Sequence, residues 1–166
     1  MSTRCHVLVE NPAEKDEDNK ILLYRHCDGY PTIVLPSILR AFQMSDATDK
    51  GYGWQAGRVL KVAGFIIAEG FRPKSKKAGA YDGAYIAYEP LPYKQLHGDV
   101  EWLYRVQIKA SNGVIQWFVK VLRPTKKFWA GEGNKEAIWK NTRTVAKGYI
   151  TEIGIEKSAK EIEEKR

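Results

Sequence analysis

The chain has three histidines, His6, His26 and His97, and two of them lie beside acids in turn-like segments. His26 precedes Asp28 by two residues, and His97 precedes Asp99 by two. An imidazole that titrates near neutrality beside a carboxylate suits general-base or metal-assisted hydrolysis. If the two turns converge, His26, Asp28, His97 and Asp99 form a hydrolytic cluster, with a phosphoester as the substrate class. The same residues also have ordinary structural uses. Asp28-Gly29 is turn chemistry, His26 can hydrogen-bond a loop, and Asp99 can cap a strand start. Arg25, next to His26, is either a bidentate phosphate ligand or a strand-end charge with a local partner. Geometry, not residue type, decides between these uses. HExxH, paired CxxC, Walker A, GxSxG and GxGxxG patterns are absent, so neither a metal nor a cofactor is expected.

A second constellation is basic and aromatic. Lys120, Arg123, Lys126, Lys127, Phe128, Trp129, Lys135, Lys140 and Arg143 crowd one stretch of chain. Cations track phosphates, and exposed rings stack on unpaired bases. Alternation along 114–122 puts Ile115, Trp117, Val119 and Val121 on one face and Phe118 and Lys120 on the other. Trp117 is then core, and Phe128 and Trp129 are the stacking candidates. The nucleic-acid reading lacks an RRM, KH or helix-turn-helix consensus. A third reading is a protein-binding module, such as an inhibitor of a host factor. Its mark would be an exposed apolar patch or a homodimer surface in place of a charged groove.

The charge supports the second reading. The 166 residues carry 27 Lys+Arg and 20 Asp+Glu, a net charge of +7. Residues 1–50 are net −2, whereas 103–150 hold ten basic side chains against Glu132 and Glu136. Localised basicity points to an anionic partner, with a solvated face as the plain alternative. Hydrophobic residues make up 43% of the chain, which excludes wholesale disorder. Two cysteines exclude a disulfide scaffold. No apolar run approaches the roughly 18 residues of a membrane span. No secretory leader pattern is seen, so a soluble cytoplasmic protein without membrane contact is expected.

These residues need elements to hold them. Strands are expected over 3–10 and 21–25, with a polar loop between. Apolar residues at 35, 38, 39 and 42 give a helix over 34–43, with Pro36 in its first turn. A polar loop follows, then a longer helix over 54–69 whose Gly57 and Gly64 suit close approach to a neighbour. Residues 81–88 read as a strand. Residues 101–109 and 114–122 form a hairpin about Ser111-Asn112-Gly113. A short helix near 134–141 and a strand at 144–153 come next. The charged segment 156–166 reads as a terminal helix or frayed tail after a single domain of 1–155.

Two motifs carry a resemblance. Tyr24-Arg25-His26-Cys27-Asp28-Gly29-Tyr30-Pro31 is similar to a YRHxDGYP signature. His97-Gly98-Asp99-Val100-Glu101-Trp102-Leu103-Tyr104-Arg105-Val106 is similar to an HGD[IV]E[YW]LYxV signature. Together they resemble a family of small proteins from phages, archaeal viruses and prokaryotes, over roughly residues 3–122. The resemblance implies a compact α+β domain and a viral or mobile-element origin, hence the host cytoplasm. It carries over no activity and no catalytic residue. The expected fold is therefore α+β: a mostly antiparallel sheet of four or five strands with two helices on one face.

Overall fold

The computed structural model describes residues 3–13, 20–48, 58–72, 85–86, 88–91, 99–112, 114–126 and 139–165. The expected α+β class is present. Strands β1 (Cys5–Glu10) and β2 (Lys20–Arg25) are followed by helices α1 (Pro31–Thr48) and α2 (Arg58–Gly70). Short strands β3 (Phe71–Arg72), β4 (Tyr85–Ile86) and β5 (Glu89–Leu91) follow. Then come β6 (Trp102–Ser111), β7 (Val114–Pro124), β8 (Thr142–Tyr149), α3 (Ile150–Ile153) and α4 (Glu156–Glu164).

The main sheet has six strands in the order β5-β2-β1-β6-β7-β8. That corrects the expected four or five. It is also mixed, because β1 and β6 pair in parallel at its centre while the other pairs are antiparallel. The central position of β1 has a clear cause. All six of its residues are buried, as a strand covered on both faces requires. Pro90 sits in the edge strand β5, where its missing N–H does least harm. The segment expected as a strand over 81–88 contributes only Tyr85–Ile86 among the described residues, paired with β3 in a separate two-stranded sheet.

One face of the main sheet carries the helices. Cys5, Val7 and Val9 of β1, Tyr104, Val106 and Ile108 of β6, and Trp117, Val119 and Val121 of β7 meet apolar residues of all four helices there. The expected alternation in β7 therefore holds, and β6 follows the same period of two. Packing Trp117 edge-on to Phe42, with centroids 5.3 Å apart, joins α1 to the hairpin.

Helix α1 starts earlier and ends later than expected. Pro31 opens it, and the Tyr30 carbonyl accepts from the Ile33 and Val34 amides at 3.0 and 2.9 Å. Pro36 lies inside the helix, not in its first turn. The helix runs on to Thr48, through part of the expected polar loop. Residues 54–57 of the second expected helix lie outside the described ones. Gly64 does not serve close packing: it is exposed, and nothing lies within 4 Å of an added Cβ. Gly64→Ala should raise stability by about 1 kcal/mol through helix propensity alone. A loss of stability in urea unfolding would mean that the bare backbone is needed there after all.

The strand expected at 144–153 ends at Tyr149, and Ile150–Ile153 turn into helix α3. Helix α4 is docked, not frayed. Its few apolar residues suffice, because Ala159 and Ile162 are both buried in the core. Glu163 accepts from the Thr32 amide at 3.1 Å and from the Thr32 hydroxyl, which satisfies a first-turn donor of α1.

Candidate nucleic-acid interface

The two His-Asp motifs meet the start of β1 from opposite sides. Cys5 pairs with Arg25 at the end of β2 and with Trp102 at the start of β6. Thus His26-Asp28 and Asp99 stand at the same end of the sheet, with β1 between their strands. What each residue does there is largely structural. Asp28 is exposed with φ 56°, a left-handed turn conformation that Asp tolerates. Gly29 donates to the Thr3 carbonyl at 2.8 Å, and an added Cβ would lie 2.9 Å from Arg4 and Cys5 atoms. Tyr104 donates its hydroxyl to the Gly29 carbonyl at 2.9 Å. Asp99 is ion-paired with Arg4, and the Glu101 amide donates to the Arg4 carbonyl at 3.0 Å. The His26 Nδ1 lies 3.1 Å from the Tyr24 hydroxyl. Burial first, and then the charge of Asp99, raises the Tyr24 phenol above its usual value. His97 lies outside the described residues.

Arg25 is held by the fold. Its Nε donates to the Cys27 carbonyl at 2.8 Å, and its guanidinium lies 5.0 Å from the Tyr88 ring centroid. Tyr88 donates to Ser37 at 3.1 Å, Ser37 donates to Glu69, and Arg40 donates to Glu69 at 2.6 Å. Burial pushes the Tyr88 phenol up to about 12 and the Cys5 thiol to about 12, so neither serves as a base or nucleophile near neutrality. Among the described residues, no group of three His, Cys, Asp or Glu is placed to hold a metal ion.

The basic strands gather on the opposite half of the sheet. Strands β6, β7 and β8 contain Arg105, Lys109, Lys120, Arg123, Arg143 and Lys147, and no Asp or Glu. The register sorts them. Arg105 is opposite Lys120, and Lys120 is opposite Lys147, so three cations form one row across three strands on the face away from the helices. The neighbouring row is Gln107, Phe118 and Tyr149. Phe118 and Tyr149 contact edge-on at 5.4 Å, and the Lys109 ammonium lies 4.0 Å from the Phe118 centroid.

This face is graded from closed to open. Over β1 it is shut: His6, Leu8 and Glu10 are all buried. Over β7 and β8 it opens, with Phe118 and Lys120 half-buried, Lys147 exposed and Tyr149 37% exposed. At the boundary sits one strong ion pair. The Arg105 guanidinium grips Glu10 with two hydrogen bonds of 3.0 and 2.9 Å, and Gln107 donates to the same carboxylate at 2.8 Å. Desolvation raises the Glu10 carboxyl, but the Arg105 and Gln107 hydrogen bonds together with the Arg105 and Lys20 charges outweigh it and leave it below its usual range. Arg105 is thereby neutralised. Lys120 and Lys147 have no carboxylate partner among the described residues.

The remaining expected residues divide by location. Arg123 packs over the buried Trp102 ring at 4.5 Å on the helix side, opposite the exposed Arg143. Lys126 and Lys140 are exposed at the end of the β7–β8 ribbon. They are brought near each other because Thr125 donates both its amide and its hydroxyl to the Asn141 carbonyl, at 2.9 and 2.8 Å. Lys127, Phe128, Trp129 and Lys135 lie outside the described residues, as does most of the helix expected near 134–141. Lys109, Tyr149 and Lys147 join the face without having been singled out in the sequence. For Lys109 the signal was the alternation of β6, and for Lys147 and Tyr149 the register of β8 against β7. No helix among the described residues is long and apolar enough to cross a membrane. No protein-family model, no curated protein and no solved structure matches the chain.

Proposed function

We propose that the protein binds nucleic acid through the β6–β7–β8 face and the basic end of that ribbon. One observation carries this reading: Lys120 and Lys147 are directly opposed across two strands that contain no acid. Directly opposed residues have Cβ atoms about 4.5–5.5 Å apart, and like charges there destabilise the sheet. A polyphosphate backbone laid across the row would remove that repulsion and release its own counterions. Exposed Lys126 and Lys140 add charge at the end of the same ribbon, while Arg143, paired with Arg123, lies on the helix side of the sheet. The viral or mobile-element origin implied by the two motifs is compatible with such a role.

The experiment is a fluorescence anisotropy titration with labelled single- and double-stranded oligonucleotides. At about 50 mM salt, binding tighter than about 10 μM is expected, with a steep loss by about 200 mM. If neither probe binds at low salt, the reading fails.

A further inference from the structure

We propose that the bound species is single-stranded, with bases stacked on Phe118 and Tyr149 while phosphates lie on Lys120 and Lys147. This rests on the nucleic-acid reading above and assigns it a substrate class and a mode.

The two rings occupy neighbouring positions on adjacent strands, in the row next to the lysines. Each row therefore supplies one of the two things a nucleotide offers: a π-face and a phosphate. Tyr149 is 37% exposed and Phe118 is half-buried, and among the described residues neither belongs to the core that the helices cover. Their edge-on contact, 83° between planes, leaves the Tyr149 ring set across the Phe118 ring, not flat against it. The Lys109 ammonium lies over the Phe118 ring, 4.0 Å from its centroid, so a base stacking on that face displaces it toward phosphate, and Tyr149 is the more open of the two rings. Stacking is worth a large factor per base only where bases are already unpaired, because in a duplex their faces are taken by neighbours.

The geometry also weighs against a duplex. A two-stranded ribbon can enter the major groove, but β7 is paired with β6 over 114–122 and with β8 over 118–124, so at Phe118 it is flanked by a strand on each side. Phe118 lies on the second strand from the edge of the six-stranded sheet and Tyr149 on the edge strand β8, neither on a separate two-stranded ribbon. A sheet face of this kind presents a surface on which a flexible strand can lie, and a rigid duplex would touch it only at its backbone.

The test uses the full chain and three probes: oligo(dT) of about 12 nucleotides, a duplex of equal length, and inorganic polyphosphate. Three proteins are compared: wild type, Tyr149→Leu, and Phe118→Leu/Tyr149→Leu. Tyr149 makes no side-chain cap to α3, so the single variant keeps the experiment readable if the double variant folds poorly. Oligo(dT) should bind wild type at least tenfold tighter than the duplex. Tyr149→Leu should weaken oligo(dT) about tenfold and the double variant about a hundredfold, with polyphosphate changed less than about twofold. Equal affinity for duplex and single strand, unmoved by either variant, would overturn the stacking proposal while leaving the charge reading in place. Failure of wild type to bind any of the three probes at low salt would overturn both.

Discussion

Glu10→Gln is expected to lower the unfolding free energy by about 1–3 kcal/mol, measured in urea, because it removes a nearly buried carboxylate that accepts charge-assisted hydrogen bonds and leaves a half-buried Arg105 without its ion pair. Glu10 is 4% exposed and accepts three hydrogen bonds from Arg105 and Gln107. Removing the charge leaves the guanidinium facing Lys120 across the strand, with the Trp139 ring 5.7 Å away. The pair itself need not stabilise the fold relative to an apolar one. Changing both partners, Glu10→Met with Arg105→Met, should therefore recover most of the loss.

The pH dependence has a definite sign. The Glu10 carboxyl is held below its ordinary 4.5 in the folded protein. Its contribution is fully present above the unfolded value and is lost as pH falls through the folded one. The gap between wild type and Glu10→Gln should be constant above about pH 5 and close below it. A gap that widened on acidification would contradict the assignment.

Lys147→Glu is expected to move binding and stability in opposite directions. It places a carboxylate opposite Lys120, which should stabilise the sheet by about 0.5 kcal/mol. The same change should weaken a single-stranded probe about ten- to hundredfold at low salt, since attraction to phosphate becomes repulsion. Because the side chain is exposed on the edge strand β8, misfolding is not an alternative cause of the loss. A variant both more stable and equally tight in binding would remove Lys147 from the interface.

How much of this was legible in the sequence follows from how local each feature is. The β6–β7 hairpin was legible because its turn, Asn112-Gly113, and its alternation are local, and Asn112 takes the positive φ of 50° that such a turn favours. The split of Trp117 from Phe118 followed from the same period of two. The parallel pairing of β1 with β6 was not legible, since it joins residues nearly a hundred apart and no local residue pattern encodes it. Strand β5 was hidden by its three-residue length and by Pro90. The start of α1 was misplaced because two prolines competed for the first turn, and Pro31, not Pro36, took it. The terminal segment read as a helix or a frayed tail; it is a helix, and its docking was hidden because Ala159 and Ile162 alone are buried on its inner face. At the candidate site, Lys120 was found from composition, whereas Lys147 and Tyr149 became visible only through the register of β8.

The two His-Asp turns show the same limit. Sequence placed them in turns beside strands, and the fold does bring Asp28 and Asp99 to one end of the sheet. Asp28 takes the turn conformation its Asp-Gly pair implied, whereas spacing could not show that Asp99 is committed to Arg4.

The most direct measurement is the slope of log K against log salt concentration for oligo(dT), compared between wild type and Lys120→Gln/Lys147→Gln. If both lysines sit on phosphates, the wild-type slope should be about −2 or steeper and the variant shallower by about 1.4, at roughly 0.7 per contact on a single strand. Equal slopes for the two proteins would mean that the opposed lysines do not touch the nucleic acid, and the central claim would be wrong.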